Sequence, residues 1–340
     1  MKAAVFYKKH DLRVEERPVP TPGPGEALLR VKACGICGTD LHIFHGDEGA
    51  AATPPGTVLG HEFAGEIVDC GAGVTAFRLG DRVCVDPNKL CGACDFCRAG
   101  AGHFCENMIG IGTTVDGGFA EYCAVPVSQL FRVPEHVPFT SAAFSEPTAC
   151  CLHGMDLCGF KQGDTVAVIG GGPIGMLMLQ LARLRGAGRL ILIEPVEEKR
   201  ALAKKLGADL CIDPFAGDVS AQLSALRAGN IACVIECVGN PATMEQAISI
   251  AGKNATVMLF GLTRPLDEIT VKPFEIFKKE ITLRASFINP YTQQRAVNLI
   301  AGGKLDVEAL INRTAALDEL PELLADPAAF RGGKIVVLPQ

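Results

Sequence analysis

The chain has 340 residues, of which 48% are hydrophobic and 21% charged, a balance typical of a soluble globular protein. Its length exceeds what one hydrophobic core usually supports and therefore predicts two domains. A formal net charge of −6 offers no basic field for nucleic acid or for an anionic membrane surface. Because the N-terminal apolar stretch is too short for a signal peptide, we expect a cytoplasmic protein that binds neither nucleic acid nor membranes.

The N-terminal part of the chain, up to about residue 145, is rich in glycine, proline and short β-like runs such as 27–31 and 66–68. Turn signals recur between these runs, at 22–25, 71–73 and 116–118. This pattern predicts an irregular, mainly β domain that carries loops.

From about residue 161, strand-like and helix-like segments alternate, which predicts βαβ units and a parallel sheet. The predicted strands are 165–169, 190–194, 233–237, 256–260, 281–285 and 334–338, and the predicted helices are 173–185, 197–206 and 292–301. The stretch from Thr165 to Ala182 has no charged residue, but a Gly-Gly-Gly-Pro run in its middle would break a membrane-spanning helix. A buried strand, a tight turn and a buried helix explain this stretch better.

Gly170, Gly172 and Gly175 form a G-x-G-x-x-G motif between a predicted strand and a predicted helix. In that position glycines allow a tight turn, a close approach of the backbone to a pyrophosphate and close packing of the helix. Glu194 ends the next strand, where an acid binds the ribose 2′-hydroxyl of NAD and repels the 2′-phosphate of NADP. The motif therefore predicts NAD binding. Further candidate cofactor-binding residues are Pro173, Ile174, Val238 and Arg200, although helix spacing also pairs Arg200 with Glu197.

Two sets of residues with metal-ligand chemistry stand out, and the first is a group of four among the fifteen cysteines. Cys91, Cys94, Cys97 and Cys105 have the spacing C-x2-C-x2-C-x7-C, so four thiolates can close around one tetrahedral zinc ion. The spacing also begins like that of an iron–sulfur cluster. However, the dinucleotide motif already predicts a cofactor that carries two electrons as a hydride, so the chain does not need a cluster for electron transfer. We therefore predict a structural zinc site.

The second set consists of Cys37, His61, Glu62 and Glu146. About three such ligands and one exchangeable position make a catalytic zinc site, at which a bound alcohol loses its proton far more readily. On the residues alone, two other interpretations are as well supported as a catalytic zinc site. Cys34 and Cys37 could form a redox pair, and His61 could be a buried core histidine.

Together these motifs resemble the zinc-containing medium-chain dehydrogenases, most closely the sorbitol (polyol) and threonine dehydrogenase branches, over essentially the whole chain. The segments that carry the resemblance are GICGTD at 35–40, GHE at 60–62, the cysteine lobe, EP at 146–147 and the glycine motif at 170–175. The resemblance implies an α/β fold, in which a doubly wound parallel Rossmann sheet is inserted into a mainly β, GroES-like catalytic domain. The implied divisions are 1–147 (catalytic domain, with the zinc lobe at 88–107), 148–285 (NAD-binding domain) and 286–340 (catalytic domain, C-terminal part).

The resemblance also implies which residues bind the catalytic zinc. Cys37, His61 and Glu62 would be ligands, and Glu146 would be a fourth ligand or would hold a zinc-bound water. A structural zinc in the four-cysteine lobe would bring the number to two per subunit.

Other residues take implied roles around that zinc. Thr39 would hydrogen-bond the reacting oxygen, His42 would end a proton relay, and Asp40 would support the ligands. Phe287 would contact the nicotinamide side of the cofactor. We therefore predict that the enzyme oxidises a secondary alcohol (a polyol, sugar alcohol or diol) to a ketone and transfers a hydride to NAD.

The substrate is less closely defined by the resemblance. Polyol dehydrogenases often carry an arginine and a tyrosine after the last cofactor-domain strand, where this chain has Ile288 and Asn289. That departure argues against a long polyol such as sorbitol. Glu48 would suit an amino alcohol such as threonine and keeps that substrate open, whereas a non-catalytic zinc protein would not need the dinucleotide motif. Candidate substrate-loop residues are Phe44, His45, Asp47 and Glu48. By analogy we expect a homodimer or homotetramer, with the strand at 256–260 at its pairing edge.

Overall fold

The computed structural model describes residues 1–47 and 52–339. The strands are β1 (Lys2–Lys8), β2 (Asp11–Glu16), β3 (Glu26–Gly35), β4 (Thr57–Val58), β5 (Glu62–Cys70), β6 (Arg82–Val85), β7 (Asn88–Lys89), β8 (Ile109–Gly110), β9 (Tyr122–Pro126), β10 (Leu130–Arg132), β11 (Thr165–Ile169), β12 (Arg189–Ile193), β13 (Leu210–Ile212), β14 (Ile231–Glu236), β15 (Thr256–Leu259), β16 (Thr282–Ala285), β17 (Ile311–Ala316) and β18 (Lys334–Leu338). The helices are α1 (Gly38–His45), α2 (Asp95–Arg98), α3 (Phe139–Ala142), α4 (Ser145–Leu157), α5 (Pro173–Leu184), α6 (Glu197–Lys205), α7 (Val219–Ala225), α8 (Pro241–Ile250), α9 (Pro273–Lys279), α10 (Gln293–Ala301) and α11 (Leu320–Ala325). Across the described residues, every helix is too short or too polar to span a bilayer.

The chain forms two compact units. Unit 1 comprises Met1–Ala149 and Asn289–Gln340, and unit 2 comprises Cys150–Ile288. Unit 1 is therefore built from two stretches of chain that are separated in sequence by the whole of unit 2.

Unit 1 is mainly β. Its larger sheet has the order β10-β6-β5-β3-β18-β17, with β9 also paired to β3, and a smaller sheet has the order β2-β1-β4. Leu29 and Val31 on β3, and Phe63 and Ile67 on β5, are almost fully buried in the core of this unit. Ile335 and Val337 of β18 join the same core, so the C-terminal part of the chain completes the sheet that the N-terminal part begins.

Unit 2 contains a parallel sheet with the order β13-β12-β11-β14-β15-β16. Counted from β11, this is the strand order 3-2-1-4-5-6 of the doubly wound dinucleotide-binding fold. The central strands are buried on both faces, which explains their continuous apolar sequences. The uncharged stretch 165–182 forms β11, a turn and α5, as predicted. The predicted fold class is confirmed.

One expectation about this sheet is wrong. The segment 256–260 was expected at a pairing edge, but it forms β15, which lies between β14 and β16 and has hydrogen-bonded neighbours on both sides. The strand at that end of the sheet is β16, and all four of its residues are exposed. The expectation came from analogy, and the edge is decided by the order of strands in the sheet, in which β16 pairs outside β15.

Candidate active site

Three neighbouring strands of unit 1 bring buried groups together at their ends. Gly35 at the end of β3 pairs with Glu62 at the start of β5 on one side. On its other side Gly35 pairs with Val336 of β18, two residues after Lys334. Groups from three distant parts of the sequence therefore meet at one edge of the sheet.

A possible metal-binding group lies at this edge. The Cys37 sulfur, a ring nitrogen of His61 and a carboxylate oxygen of Glu62 all lie within 4.8 Å of one another. Cys37 immediately precedes α1, and His61 and Glu62 enter β5. A thiolate, an imidazole and a carboxylate form a donor set that zinc accepts at catalytic sites.

Asp40 contacts two members of this group, Cys37 and His61. It is fully buried, and its Oδ2 accepts a 2.8 Å hydrogen bond from the backbone N–H of Cys37. Its Oδ1 lies 3.5 Å from Nδ1 of His61, so Nε2 is the ring nitrogen left for a metal. Burial lowers the pKa of His61, but the Asp40 carboxylate and the Cys37 thiol outweigh burial and raise that pKa well above its ordinary value.

The imidazole and the carboxylate of the group each have one polar atom turned toward the protein. Nδ1 of His61 faces Oδ1 of Asp40 at 3.5 Å, and Oε2 of Glu62 has the ammonium of Lys334 as its ion-pair partner. The Cys37 sulfur, a ring nitrogen of His61 and the Glu62 carboxylate supply the donor chemistry of a catalytic zinc site. The residues present therefore fit a catalytic zinc.

Lys334 belongs to the site although the sequence reasoning did not select it. Its side chain is buried, and its ammonium forms an ion pair with Oε2 of Glu62. Burial lowers the pKa of Lys334, but the charges of Glu62, Cys37 and Glu146 outweigh burial and raise it, so the lysine is a cation. No motif marks this lysine, because only the pairing of β18 with β3 places it beside Glu62.

Gly35 explains how this ion pair fits against the sheet. A Cβ at position 35 would lie 2.4 Å from Oε2 of Glu62 and 2.8 Å from Cε of Lys334. Any side chain at this position would therefore displace the carboxylate or the lysine. Position 35 therefore needs glycine because a side chain would have no space. Backbone conformation does not require glycine there, since the φ of Gly35 is not in the left-handed region.

Two other predicted residues lie nearby. Glu146 is the second residue of α4 and is buried, and its carboxylate contributes to the raised pKa of Lys334, but it is outside the group of three ligand atoms. The hydroxyl oxygen of Thr39 lies 3.7 Å from the Cys37 sulfur. Both residues therefore lie close enough to take part in chemistry centred on the group.

Cys34 does not suit the role of a redox partner for Cys37. It is fully buried in β3, and burial raises the pKa of its thiol well above the ordinary value. A thiol that resists ionisation is a poor nucleophile and a poor metal ligand. Cys34 is a core residue.

The four-cysteine lobe is a second possible metal-binding group. The sulfurs of Cys91, Cys94, Cys97 and Cys105 lie within 4.8 Å of one another. The Cys91 sulfur accepts the N–H groups of Ala93 and Cys94, which lower the pKa of its thiol to about 6. Four convergent sulfurs of which at least one ionises readily suit a closed tetrahedral zinc site.

In unit 2 the glycine motif lies at the carboxyl end of β11. Gly170 has φ of +99°, which favours glycine, and a Cβ at Gly175 would lie 1.9 Å from the carbonyl oxygen of Gly170. Apart from its two chain neighbours, no described residue has an atom within 4 Å of the Cβ position of Gly172, so the first turn of α5 is open to a ligand. Pro173 and Ile174 form that first turn, where backbone N–H groups favour a phosphate.

Glu194 follows β12, the strand beside β11. One of its carboxylate oxygens accepts the N–H of Gly171 at 2.6 Å and the other accepts the N–H of Val196 at 2.9 Å. Arg200 is tied to the carbonyls of Glu194 and Pro195, at 2.8 and 2.6 Å, and forms ion pairs with acidic side chains. The acid therefore holds the glycine turn, and the arginine is already neutralised by its own neighbours.

The remaining cofactor candidates follow β14 and β16. Val238 is half exposed after β14, and its N–H donates at 2.8 Å to the buried carboxylate of Glu236, which fixes this loop. Because β14 lies next to β11, Val238 and the glycine turn share one edge of the sheet. Phe287 is partly exposed beyond β16.

One expectation about substrate contacts is corrected by the structure. Phe44 is not in a substrate loop, since its ring is buried in the core of unit 1 and stacks on His10. Asn289 is also buried, and its carboxamide bonds to Asn88 at 2.6 Å and to Asp86 at 3.2 Å, so it has a structural task. His45 contacts His10, Asp47 contacts His42, and Glu48 lies outside the described residues.

Comparison with known proteins matches both units. Residues 23–135 match the model of the alcohol dehydrogenase GroES-like domain, and residues 173–302 match that of the zinc-binding dehydrogenases. The chain is 36% identical to L-threonine 3-dehydrogenase of Pyrococcus horikoshii, over 95% of this chain and 94% of that protein. It is 30% identical to sorbitol dehydrogenase of Bacillus subtilis, over 100% and 97% of the two chains. A zinc-binding dehydrogenase structure from Sinorhizobium meliloti, bound to NADP, superposes with a TM-score of 0.96 at 42% identity and covers 99% of each chain.

Proposed function

Because the chain belongs to the family of zinc-binding, medium-chain alcohol dehydrogenases, we propose that its Cys37–His61–Glu62 group binds a catalytic zinc for oxidation of a secondary alcohol by NAD. The close approach of these three ligand atoms, supported from behind by Asp40, carries the proposal. The chain is an oxidoreductase acting on alcohols, as its relatives are. In this proposal unit 1 is the catalytic domain and unit 2 binds the dinucleotide.

When bound, zinc would act as a Lewis acid toward the alcohol oxygen, and NAD would accept the hydride. The task of Thr39 is to hydrogen-bond the reacting oxygen and pass its proton to His42. Asp40 fixes the orientation of the His61 ring. Lys334 balances the negative charge of Glu62, and of Glu146 if that residue takes over as ligand.

We further propose that the substrate is a polyol, sugar alcohol or diol. Identity of 30% to a sorbitol dehydrogenase over the full chain supports this class. Identity of 36% to a threonine dehydrogenase supports an amino alcohol as the second candidate. A screen of NAD reduction with polyols, diols and L-threonine tests both. Turnover of threonine alone would reject the polyol proposal, and no turnover of any secondary alcohol would reject the proposed function.

Metal content provides the first prediction. Two zinc ions per subunit are expected, one in the four-cysteine lobe and one at Cys37, His61 and Glu62. The catalytic zinc, which keeps an exchangeable position, should be lost to a chelator first and together with activity. Mass spectrometry of metal content during dialysis against a chelator, with activity measured in parallel, checks this expectation. One zinc in the active protein, or full activity after all zinc has been removed, would contradict it.

The choice between NAD and NADP provides a second prediction. Although the Sinorhizobium meliloti relative binds NADP, Glu194 here places a carboxylate at the end of β12, and Arg200 is neutralised by its neighbours. We therefore propose NAD as the cofactor. Replacing Glu194 by alanine should weaken NAD binding about tenfold and relax discrimination against NADP.

The loss of charge has to be separated from a loosened glycine turn, because Glu194 also accepts the N–H of Gly171. Glu194→Gln keeps a hydrogen-bond acceptor but removes the charge, and it should relax the discrimination with less loss of NAD affinity. Binding constants for NADH and NADPH, measured by fluorescence titration, give both quantities. An unchanged ratio in both variants would show that Glu194 does not select the cofactor.

We also propose that the enzyme is a cytoplasmic homo-oligomer. The exposed strand β16, with Leu283 on it, leaves backbone groups that a second copy of the chain would pair to form a continuous sheet. Light scattering of the purified protein tests this, since a monomer at micromolar concentration would reject it. None of the fifteen cysteines, all of which lie in the described residues, forms a disulfide, and this suits a reducing compartment.

A further inference from the structure

The end of α1 folds back on its own last turn. Gly46 ends the helix with φ of +76°, and the N–H of Asp47 then donates to the carbonyl of His42 at 2.9 Å. This reversal brings Oδ2 of Asp47 to 3.1 Å from Nδ1 of His42. Because the backbone itself makes the reversal, the carboxylate is held beside the ring.

The second histidine of α1 has a different environment. Nδ1 of His45 lies 3.1 Å from Nε2 of His10, and the two rings meet edge to face. His42 is thus the histidine of α1 whose ring nitrogen meets a carboxylate. Its side chain is about a quarter exposed (27%), so a proton that reaches it can pass on to water.

The carboxylate decides which nitrogen of His42 carries the proton. An ionised carboxylate only accepts hydrogen bonds, so Nδ1 must be the protonated nitrogen in the neutral ring. Nε2 is then unprotonated and can accept a proton. A histidine without such a partner distributes its proton between both nitrogens, and only part of its population would have Nε2 free to accept a proton.

The position of His42 connects this pair to the proposed chemistry. Thr39 and His42 are three residues apart in α1 and therefore share one face of the helix. The Thr39 hydroxyl oxygen lies 3.7 Å from the Cys37 sulfur, at the group of candidate zinc ligands. Thr39 thus lies between that group and His42 along the helix face.

We propose that Asp47 is a positioning residue that holds His42 in the tautomer able to accept the substrate proton. The inference rests on the proposed function, in which the alcohol oxygen gives its proton through the Thr39 hydroxyl to His42. The O–H bond of the alcohol breaks, the Thr39 hydroxyl gives up one proton and gains another, and Nε2 of His42 gains a proton that it later releases to water. Asp47 keeps its charge throughout and touches neither substrate nor cofactor.

The tautomer can be measured without any turnover. Nitrogen-15 NMR of the histidine rings in the zinc-loaded protein at about pH 8.5, where imidazole itself is neutral, separates the two nitrogens. The His42 signal is assigned by its loss in His42→Asn. We expect a protonated Nδ1 in the native chain and in Asp47→Glu, and a shift toward protonated Nε2 in Asp47→Ala. A native ring protonated on Nε2, or a tautomer that Asp47→Ala leaves unchanged, would overturn the inference.

Kinetics with the alcohol found in the substrate screen completes the test. Asp47→Ala should lower kcat about tenfold with little change in KM, His42→Asn should lower kcat about a hundredfold, and Asp47→Glu should recover most of the native rate. Asp69→Asn, which removes the same charge from an exposed position of β5, is the control and should leave kcat unchanged. A changed tautomer with an unchanged kcat would also overturn the inference. A native enzyme without any alcohol oxidation would instead reject the proposed function.

Discussion

Replacement of Cys37 by serine is expected to lower kcat for alcohol oxidation by at least about a thousandfold while NAD binding stays nearly intact. Cys37 supplies the thiolate of the ligand group, whose three donor atoms lie within 4.8 Å of one another. A serine hydroxyl is a far weaker zinc ligand, because it does not ionise near neutral pH. The catalytic zinc should therefore be lost or displaced.

The measurement combines metal content, steady-state kinetics and titration with NADH. The glycine turn and Glu194 belong to unit 2, whereas Cys37 belongs to unit 1, so cofactor affinity should change less than about twofold. Cys70→Ser is the matched control, because Cys70 lies at the far end of β5 and contributes no ligand atom to either described cysteine group. Native activity in Cys37→Ser, or an equal loss in Cys70→Ser, would reject the proposed zinc site.

The second large effect is expected at Lys334. Replacing it by methionine removes the cation but keeps an unbranched apolar side chain of similar length, and it leaves the buried carboxylate of Glu62 without its ion-pair partner. Breaking a buried pair from one side costs about 3–5 kcal/mol of unfolding free energy. The loss should be largest in the zinc-free protein, because bound zinc supplies a second cation near Glu62.

Chemical denaturation of the zinc-loaded and zinc-free proteins measures this effect. The double variant Lys334→Met with Glu62→Gln should regain most of the lost stability, since neither partner is then charged. Lys2→Met is the matched control, because Lys2 pairs with Asp318 at an exposed position and should change stability by less than about 1 kcal/mol. If Lys334→Met costs no more than Lys2→Met, the buried ion pair does not support the site.

Much of the fold could be predicted because unit 2 has strong local patterns. The segment 165–169 reads as a strand and 173–185 as a helix from apolar runs and glycine punctuation alone, and both were correct to within a residue. The zinc-ligand candidates stood out because Cys, His and Glu carry recognisable chemistry and because GICGTD and GHE resemble a known family. These signals are local, or they come from the identity of single residues.

What the sequence could not provide were the consequences of strand register. Lys334 looks like an ordinary strand-end lysine until β18 is paired with β3 and placed beside Glu62. Phe44 looked like a loop residue because polar and small residues follow it, but the face of α1 that it occupies points into the core. The hydrogen bonds of Asn289 to Asp86 and Asn88 could not be predicted either, because those partners are about two hundred positions away in the sequence.

The interruption of unit 1 by unit 2 sets an order of assembly during translation. Cys37, His61 and Glu62 leave the ribosome before unit 2 is made, whereas β18 and Lys334 leave after it. A nascent chain therefore carries the metal ligands for some time beside an incomplete sheet, and Glu62 meets its buried counter-charge only once β18 has been added. Unit 2 is continuous in sequence, so it can fold before β17 and β18 of unit 1 have been synthesised. The charge environment of the proposed metal site is therefore complete only after β18 has been made.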